Sequence, residues 1–495
     1  MLTAPYLCAK RAFLNASGKT MQPLRSRYSA QKAVLLMSAA ALLVLLCLPY
    51  DADALHLANY VIDGIGLLIV LGVLVFRFAA GALDMFEPLV YCSVIYGAIF
   101  FFMPMYDICT DQTLWFGYDF YKYGITATIY AILGYLTFVA MYCKKWIKRS
   151  RKTWQRGKSQ SVLSKYAVYV IVIMYVISLL AKLYYLTSIS GNSLTYILTF
   201  GLFGDAGADK LEAKIGFVNM FSYCLPASVL LYLTYGKSNA MKVIFIYLMV
   251  MTQMADGFRF IIVETAFMLC AFYYLKRAKR PSLISVAIVL CALLIPIFMM
   301  TLFRESVRSG TGVDVSVLSS SDIAMVFDDA IFDNLRIYNN YYGLIGVVPN
   351  LFPYQYLNMI VVRTILMIVP QAIWPNKYDG FVSPGIEVYY GGAFLGTGQA
   401  YPNLGEFYLA FDVLGIVVFM GLFGLWMGYL RQKLMYSNNP IDLIMYVSIV
   451  ANCLQIIIRG YTPSNFWLVV FSALPVLLFR FACMKRIPIN TRGNK

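Results

Sequence analysis

Histidine is almost missing from this chain of 495 residues: His56 is the one copy. A Ser-His-Asp system or a histidine-based metal centre needs converging groups that a lone imidazole beside Asp51 and Asp53 does not supply. His56 therefore reads as a surface residue in a short loop. Charge is also scarce, at 13% Asp, Glu, Lys and Arg. There is no Cys-x-x-Cys, and of the ten cysteines Cys47, Cys92, Cys224, Cys270, Cys291 and Cys453 lie in apolar runs, as small hydrophobes do. A Walker lysine loop, a Gly-x-Gly-x-x-Gly after a strand and an Asp-x-Asp pair in a cytosolic domain are all lacking, so nucleotide chemistry on the inner side has no support. No internal repeat or low-complexity tract interrupts the chain.

What is present is apolar. Hydrophobic residues make up 61% of the sequence and the mean hydropathy is +0.70, which excludes a water-soluble chain. About 20 apolar residues cross a bilayer core, and in lipid a lone segment satisfies its backbone only as a helix. The spanning runs are Ala33–Pro49, Leu55–Phe76, Pro88–Met105, Tyr123–Cys143, Tyr166–Leu186, Ile215–Tyr235, Met241–Ala255, Phe258–Leu275 and Leu283–Phe303, then Leu404–Tyr429, Ile441–Ile458 and Phe466–Cys483. The expected fold is an all-α polytopic membrane protein with about twelve transmembrane helices.

The net charge of +16 is a matter of topology rather than of nucleic acid. With twelve crossings, 29 of the 40 Lys and Arg fall on the cytosolic side against three acids, Asp84, Glu87 and Asp442. Residues 1–32 are then a retained cytosolic basic arm, 33–303 hold the first nine helices, and 304–403 form one large external loop. Residues 404–483 hold the last three helices and 484–495 a cytosolic tail. A further run, Tyr356–Ile373, has Arg363 near its middle and Pro370 at its end. A thirteenth crossing would invert the charge pattern after it, so this run is expected to be a re-entrant or interfacial helix on the outer side.

Eleven cations remain that topology does not explain: Lys122, Lys182, Lys210, Lys214, Arg259, Arg304, Arg308, Arg336, Arg363, Lys377 and Arg459. A bound anion would account for guanidiniums at outer helix ends, because their planar forks match phosphate oxygens. Arg259 follows an Asp256-Gly257 turn, Arg304 and Arg308 lie one helical turn apart, and Arg459 ends a spanning run. Each also has an ordinary alternative in snorkelling or in pairing with Asp256 or Glu305. Glu406 opens a helix facing the loop, either as a base or as a first-turn acid complementing the helix dipole. Asp63 and Glu264 fall inside the membrane, where an acid is either functional or holds an arginine in place. Tyr338, Tyr341, Tyr342, Tyr354, Tyr356, Tyr378, Tyr389 and Tyr390 crowd the external segments. Aromatic faces stack on sugars, but Tyr and Trp also favour the membrane interface.

Certain segments resemble the Wzy-type oligosaccharide repeat-unit polymerases. They are Asp256-Gly-Phe-Arg259 opening one helix, Phe303-Arg304-Glu305 leaving another, Val369-Pro-Gln-Ala-Ile-Trp-Pro-Asn-Lys377 in the loop, and Asn403-Leu-Gly-Glu406-Phe-Tyr408 leading to Leu414-Gly415. The second half of the chain carries the resemblance. Two positions depart from the pattern: Gln371, where an arginine often stands, and Asp412, where glycine is usual.

The resemblance implies a GT-C-like membrane glycosyltransferase that joins undecaprenyl-pyrophosphate-linked oligosaccharides into O-antigen, capsule or exopolysaccharide on the outer face of the bacterial cytoplasmic membrane. Its partners would be that lipid-linked oligosaccharide, membrane lipids and a chain-length-regulating membrane protein, with no nucleic acid, no cofactor and no metal. Glu406, Arg259 and Arg304 are the expected catalytic residues; Arg259, Arg304, Arg308, Arg363, Lys377 and Arg459 are the expected pyrophosphate ligands. A flippase for the same lipid-linked oligosaccharide and an O-antigen ligase remain the alternatives. Against the first, transporters are commonly built of repeated halves, and these halves differ. Against the second, the external loop has no histidine.

Overall fold

A computed structural model describes residues 53–80, 83–115, 117–144, 160–189, 218–254, 259–277, 335–369, 388–390, 393–395, 401–437 and 439–487, together with 285, 288, 291, 298, 328, 332 and 374. The chain is a polytopic bundle of helices. In chain order these are α1 (Ala54–Ala79), α2 (Pro88–Cys109), α3 (Gly124–Tyr142), α4 (Ala167–Ile189), α5 (Cys224–Tyr235), α6 (Asn239–Met254), α7 (Arg259–Arg277) and α8 (Tyr338–Val347). After them come α9 (358–366), α10 (Asn403–Tyr436), α11 (Pro440–Ile458) and α12 (Thr462–Cys483). Seven helices among the described residues are long and apolar enough to cross a membrane: α1, α2, α3, α4, α10, α11 and α12. At 26 residues, α1 reaches about 39 Å, more than the roughly 30 Å hydrocarbon core.

The expected runs at Leu55, Pro88, Tyr123, Tyr166, Leu404, Ile441 and Phe466 coincide with these seven. Those at Ile215, Met241 and Phe258 fall on helices α5, α6 and α7, which are not among these seven and of which α6 is a shorter apolar helix, whereas Ala33–Pro49 and nearly all of Leu283–Phe303 lie outside the described residues. Among the described residues of Tyr356–Ile373 the helical part is a π turn, Asn358–Val362, running into Arg363–Leu366. Nine residues reach roughly 14 Å, too short to cross.

Helix α10 lies along α3 at backbone contact. A Cβ on Gly424 would sit 2.4 Å from the Phe138 carbonyl oxygen, and one on Gly428 would sit 2.6 Å from that of Tyr142. Inside a bilayer, where apolar side chains gain nothing by leaving lipid, close van der Waals approach over such small residues holds helices together. Polar clasps then mark two opposite ends of the bundle. At one end Arg77 pairs with Glu87, Tyr142 donates to Glu87 at 2.9 Å, and Arg431 meets Asp84 at 2.7 Å. The strand Gln160–Leu163 (β3) pairs antiparallel with Met484–Ile487 (β6) next to the end of α12. Leu114–Trp115 (β1) and Tyr118–Asp119 (β2) form a small hairpin at the other end, where Tyr121 and Tyr338 share a hydrogen bond of 2.8 Å and Tyr338 donates to Asp107 at 2.8 Å. The loop segment carrying α8 thus sits on the end opposite the Arg77 and Arg431 clasps. A third pair, Val388–Tyr390 (β4) with Ala393–Leu395 (β5), belongs to the same loop.

Candidate functional site

Three chain breaks converge where the long loop returns to the bundle. The first is within α10. Phe411 (φ −149°) and Asp412 (φ 55°, ψ −148°) leave the helix, dividing it into a short piece, 403–410, and a spanning piece, 413–436. The conformation at Asp412 is one that glycine adopts freely and other residues adopt at a cost of about 1–3 kcal/mol. Position 412 is also where the resemblance makes glycine usual. The Asp412 carboxylate accepts the N–H of the next residue, Val413, at 2.7 Å where the spanning piece begins. Gln355 donates its backbone N–H to the Leu409 carbonyl at 2.8 Å, and the Tyr408 hydroxyl donates to the Val348 carbonyl at 3.0 Å, so the break is bound to the loop.

The second break is the turn 459–461 between α11 and α12. The Gly460 N–H donates to the Tyr401 carbonyl at 2.8 Å, and a Cβ at Gly460 would lie 2.4 Å from the Cα of Asn403. That close approach requires glycine. It sets Thr462, the first residue of α12, against Glu406. The Thr462 N–H donates to both carboxylate oxygens, at 2.8 and 2.9 Å, and its hydroxyl donates to Oε2 at 2.6 Å. Glu406 is buried, and its carboxyl group lies at the N-terminal end of α12.

The third break is α9. Arg363 is only 7% exposed; its Nη1 is 3.7 Å from Met359 Sδ and its guanidinium lies 5.2 Å from the centre of the Tyr461 ring. Trp467 of α12 donates to the Thr364 carbonyl at 2.9 Å, which fixes α9 to the same junction. The positive charge of Arg363 acts on Glu406 and on Tyr401. Burial, then the neighbouring Glu406 and Tyr461, push the Tyr401 hydroxyl well above its ordinary range, against the pull of Arg363. That hydroxyl is buried and has no hydrogen-bond partner among the described residues.

With this geometry in place, comparison with known proteins gave one family. The model of the O-antigen polysaccharide polymerase Wzy family matches residues 35–487. The chain belongs to the Wzy family. Comparisons with curated proteins and with solved structures found no match.

Of the residues expected to form the Wzy site, Arg363, Glu406 and Arg459 come together at this junction. Arg459 is half-buried at the end of α11, its N–H donating to the Gln455 carbonyl at 2.8 Å and its own carbonyl accepting from Asn465 at 2.6 Å. Arg259 is the first residue of α7. Arg304, Arg308 and Lys377 lie outside the described residues, as do Lys210 and Lys214.

Other cations are elsewhere and occupied. Arg336 is bound to Asp107, Asp328 and Gln112 at the α2 end; burial lowers its pKa, but hydrogen bonds and charge from the two acids outweigh that and hold it above the ordinary value. Lys182 is buried near the Tyr185 ring. Neither membrane acid pairs with an arginine among the described residues: Asp63 accepts from Thr128 at 2.6 Å and Glu264 from the Gln455 N–H at 2.8 Å. His56 is partly buried, its Nε2 3.1 Å from Asp119. Tyr338, Tyr341 and Tyr342 are core residues, fully buried, whereas Tyr356 is 57% exposed.

Tyr401, Gly460, Tyr461, Thr462 and Trp467 are the parts of the Wzy junction that reading the sequence missed. The signal was there in Gly460-Tyr461-Thr462-Pro463, a polar break between two apolar runs, and in Tyr401-Pro402-Asn403 before Glu406. Among the described residues no three of His, Cys, Asp and Glu converge as a metal-binding group.

Proposed function

We propose that this Wzy chain is a membrane glycosyltransferase that polymerises undecaprenyl-pyrophosphate-linked oligosaccharide repeat units on the outer face of the cytoplasmic membrane. The observation that carries the reading is Arg363: a guanidinium drawn out of water at a helix junction, beside a buried tyrosine hydroxyl and within the field of Glu406. A planar guanidinium fork at this junction matches the oxygens of a diphosphate, whose charge it would meet.

In the reaction a hydroxyl of the acceptor sugar attacks the anomeric carbon of the donor and gives up its proton to water or to the departing diphosphate, while the carbon–oxygen bond to the lipid diphosphate breaks and its electron pair leaves with the diphosphate. Charge builds on that leaving group. Fixed guanidiniums at the lipid boundary, with Arg363 and Arg459 at this junction and Arg259, Arg304, Arg308 and Lys377 as further ligands, would act mainly on the transition state. One donor of this kind is worth about 3 kcal/mol, roughly a hundredfold in rate. In this reading the guanidiniums supply the counter-charge, no metal is needed, and Glu406 is the residue that positions the junction. Twelve crossings with both termini cytosolic put the junction on the outer face, in keeping with the distribution of basic residues.

The surface glycan of a deletion strain tests the proposal. Single repeat units on the lipid anchor are expected. A strain that exports no units would indicate a flippase, and one that accumulates unattached polymer would indicate a ligase.

A further inference from the structure

The break at Asp412 exposes a second polar feature, six residues beyond Glu406 and outside its hydrogen-bonded junction. Asp412 is half-buried and has no cationic partner among the described residues. One carboxylate oxygen takes the Val413 N–H, which leaves acceptor capacity on the group. Around it stand aromatic rings. Tyr354 and Tyr408 have centroids 6.1 Å apart, Tyr354 and Tyr356 are 6.4 Å apart, and Tyr356 meets the Phe411 ring at 5.6 Å. The Tyr354 hydroxyl interacts with both Tyr408 and Asp412. Tyr130 adds a ring 6.2 Å from that of Tyr408.

The outer wall of this cluster is open. Tyr356 is 57% exposed, Leu357 48% and Leu414 63%, so the carboxylate stands where apolar surface meets the polar loop. Tyr356 is itself held at φ 48°, a strained conformation for a tyrosine, which turns the chain at the mouth of the cluster. Strain at two neighbouring positions, 356 and 412, is retained in a segment that the Gln355 and Leu409 backbone bond ties together. A purely structural break would be served better by glycine at 412.

We infer that Asp412 and the tyrosine rings around it form a carbohydrate subsite, in which a sugar lays its apolar face on Tyr356 or Tyr354 and gives hydroxyl hydrogen bonds to the Asp412 carboxylate. A sugar ring needs an aromatic face and a hydrogen-bond acceptor together, and this cluster supplies both at the membrane boundary. Because the diphosphate reading places the lipid anchor at Arg363, the subsite deepens that reading: it is where the oligosaccharide part of a lipid-linked unit would be held.

The test uses the full chain in nanodiscs and, as probe, the oligosaccharide repeat unit obtained by mild acid hydrolysis of the host's own surface glycan. Saturation-transfer NMR measures its binding to the wild type and to Asp412→Gly, Asp412→Asn and Tyr356→Ala. Asp412→Gly relieves the backbone strain, so the fold is kept while the carboxylate is removed. Binding at least tenfold weaker in Asp412→Gly and Tyr356→Ala is expected, with Asp412→Asn between them and the wild type. Equal binding in all four proteins would overturn the subsite, and so would displacement of the signal by phosphoethanolamine, which would assign the cage to an ammonium group. Failure here with single units still accumulating in the deletion strain leaves the polymerase reading standing. The converse pair of results leaves the sugar site and removes the polymerase.

Discussion

Glu406 and Thr462 are joined by three hydrogen bonds, from the Thr462 N–H to both carboxylate oxygens and from its hydroxyl to Oε2, and this one contact locks the returning loop to the start of α12. A carboxylate so engaged is occupied at both oxygens. Its first effect is to hold Gly460 and Tyr461 where Arg363 can lie over the Tyr461 ring. Glu406→Ala should therefore reduce the amount of folded protein, since it leaves the part-buried Thr462 N–H and hydroxyl without their acceptor. Thr462→Ser, which keeps both donors, should behave as wild type. Glu406→Gln keeps one good acceptor and is expected to retain most of its turnover per folded molecule. A hundredfold loss in Glu406→Gln at normal protein level, measured by polymer yield, would instead make Glu406 the base.

Arg363 should not be replaceable by lysine. The guanidinium lies 5.2 Å from the centre of the Tyr461 ring and presents a planar fork, whereas an ammonium is a hydrated point charge. Arg363→Ala and Arg363→Lys are both expected to stop polymer growth, by about a hundredfold in rate, with protein still in the membrane. Lys122, which is exposed and near the Tyr123 ring, serves as the control, and its alanine variant should give normal chain lengths. A lysine variant with wild-type chain lengths on a gel would show that charge alone suffices.

Length and hydropathy made the spans legible, because a bilayer asks for one thing of a segment and α1, α2 and α3 supply it without ambiguity. Asp412 shows the limit. The break inside Leu404–Tyr429 is invisible to hydropathy, since Phe411 and Val413 flank it and continue the apolar run. The sequence pattern alone therefore sets Glu406 at the head of a long helix, whereas it belongs to a short one bonded to the start of α12. The tyrosines failed for a related reason: Tyr338 and Tyr356 look alike in sequence, but the first is core and the second faces outward, and tertiary packing alone decides between them. Arg363 could be singled out as a cation without a topological reason, yet its partner Tyr461 comes from a turn almost a hundred residues away.

Gly424 and Gly428 test the packing of the scaffold that carries the site. Both face α3 backbone, at Phe138 and Tyr142, one turn apart on α10. A Gly424→Val substitution has to push α10 away from α3 and forfeits the close contact along the seam. The expected result is a lower thermal midpoint in detergent and less protein in the membrane, with Gly424→Ala milder than Gly424→Val. Gly421, whose Cβ would find Thr137 at an ordinary 3.4 Å, should accept alanine with little change.

Arg259 and Arg304 test whether the diphosphate site extends beyond the junction of α9, α10 and α12. Each is a cation that the inside-positive pattern does not require, and each ends or begins an apolar run. If both contribute to the leaving group, Arg259→Ala and Arg304→Ala should each abolish polymer growth at unchanged protein level, as Arg363→Ala does. Normal chain lengths in two of these three variants would end the diphosphate reading. The same reading requires the loop to be external, because its guanidiniums would otherwise face the wrong leaflet. Reporter fusions at Val313 and Gly392 should accordingly report the outer side and a fusion after Lys495 the inner, and an inner signal at either loop position would remove the site from the face where lipid-linked units are joined.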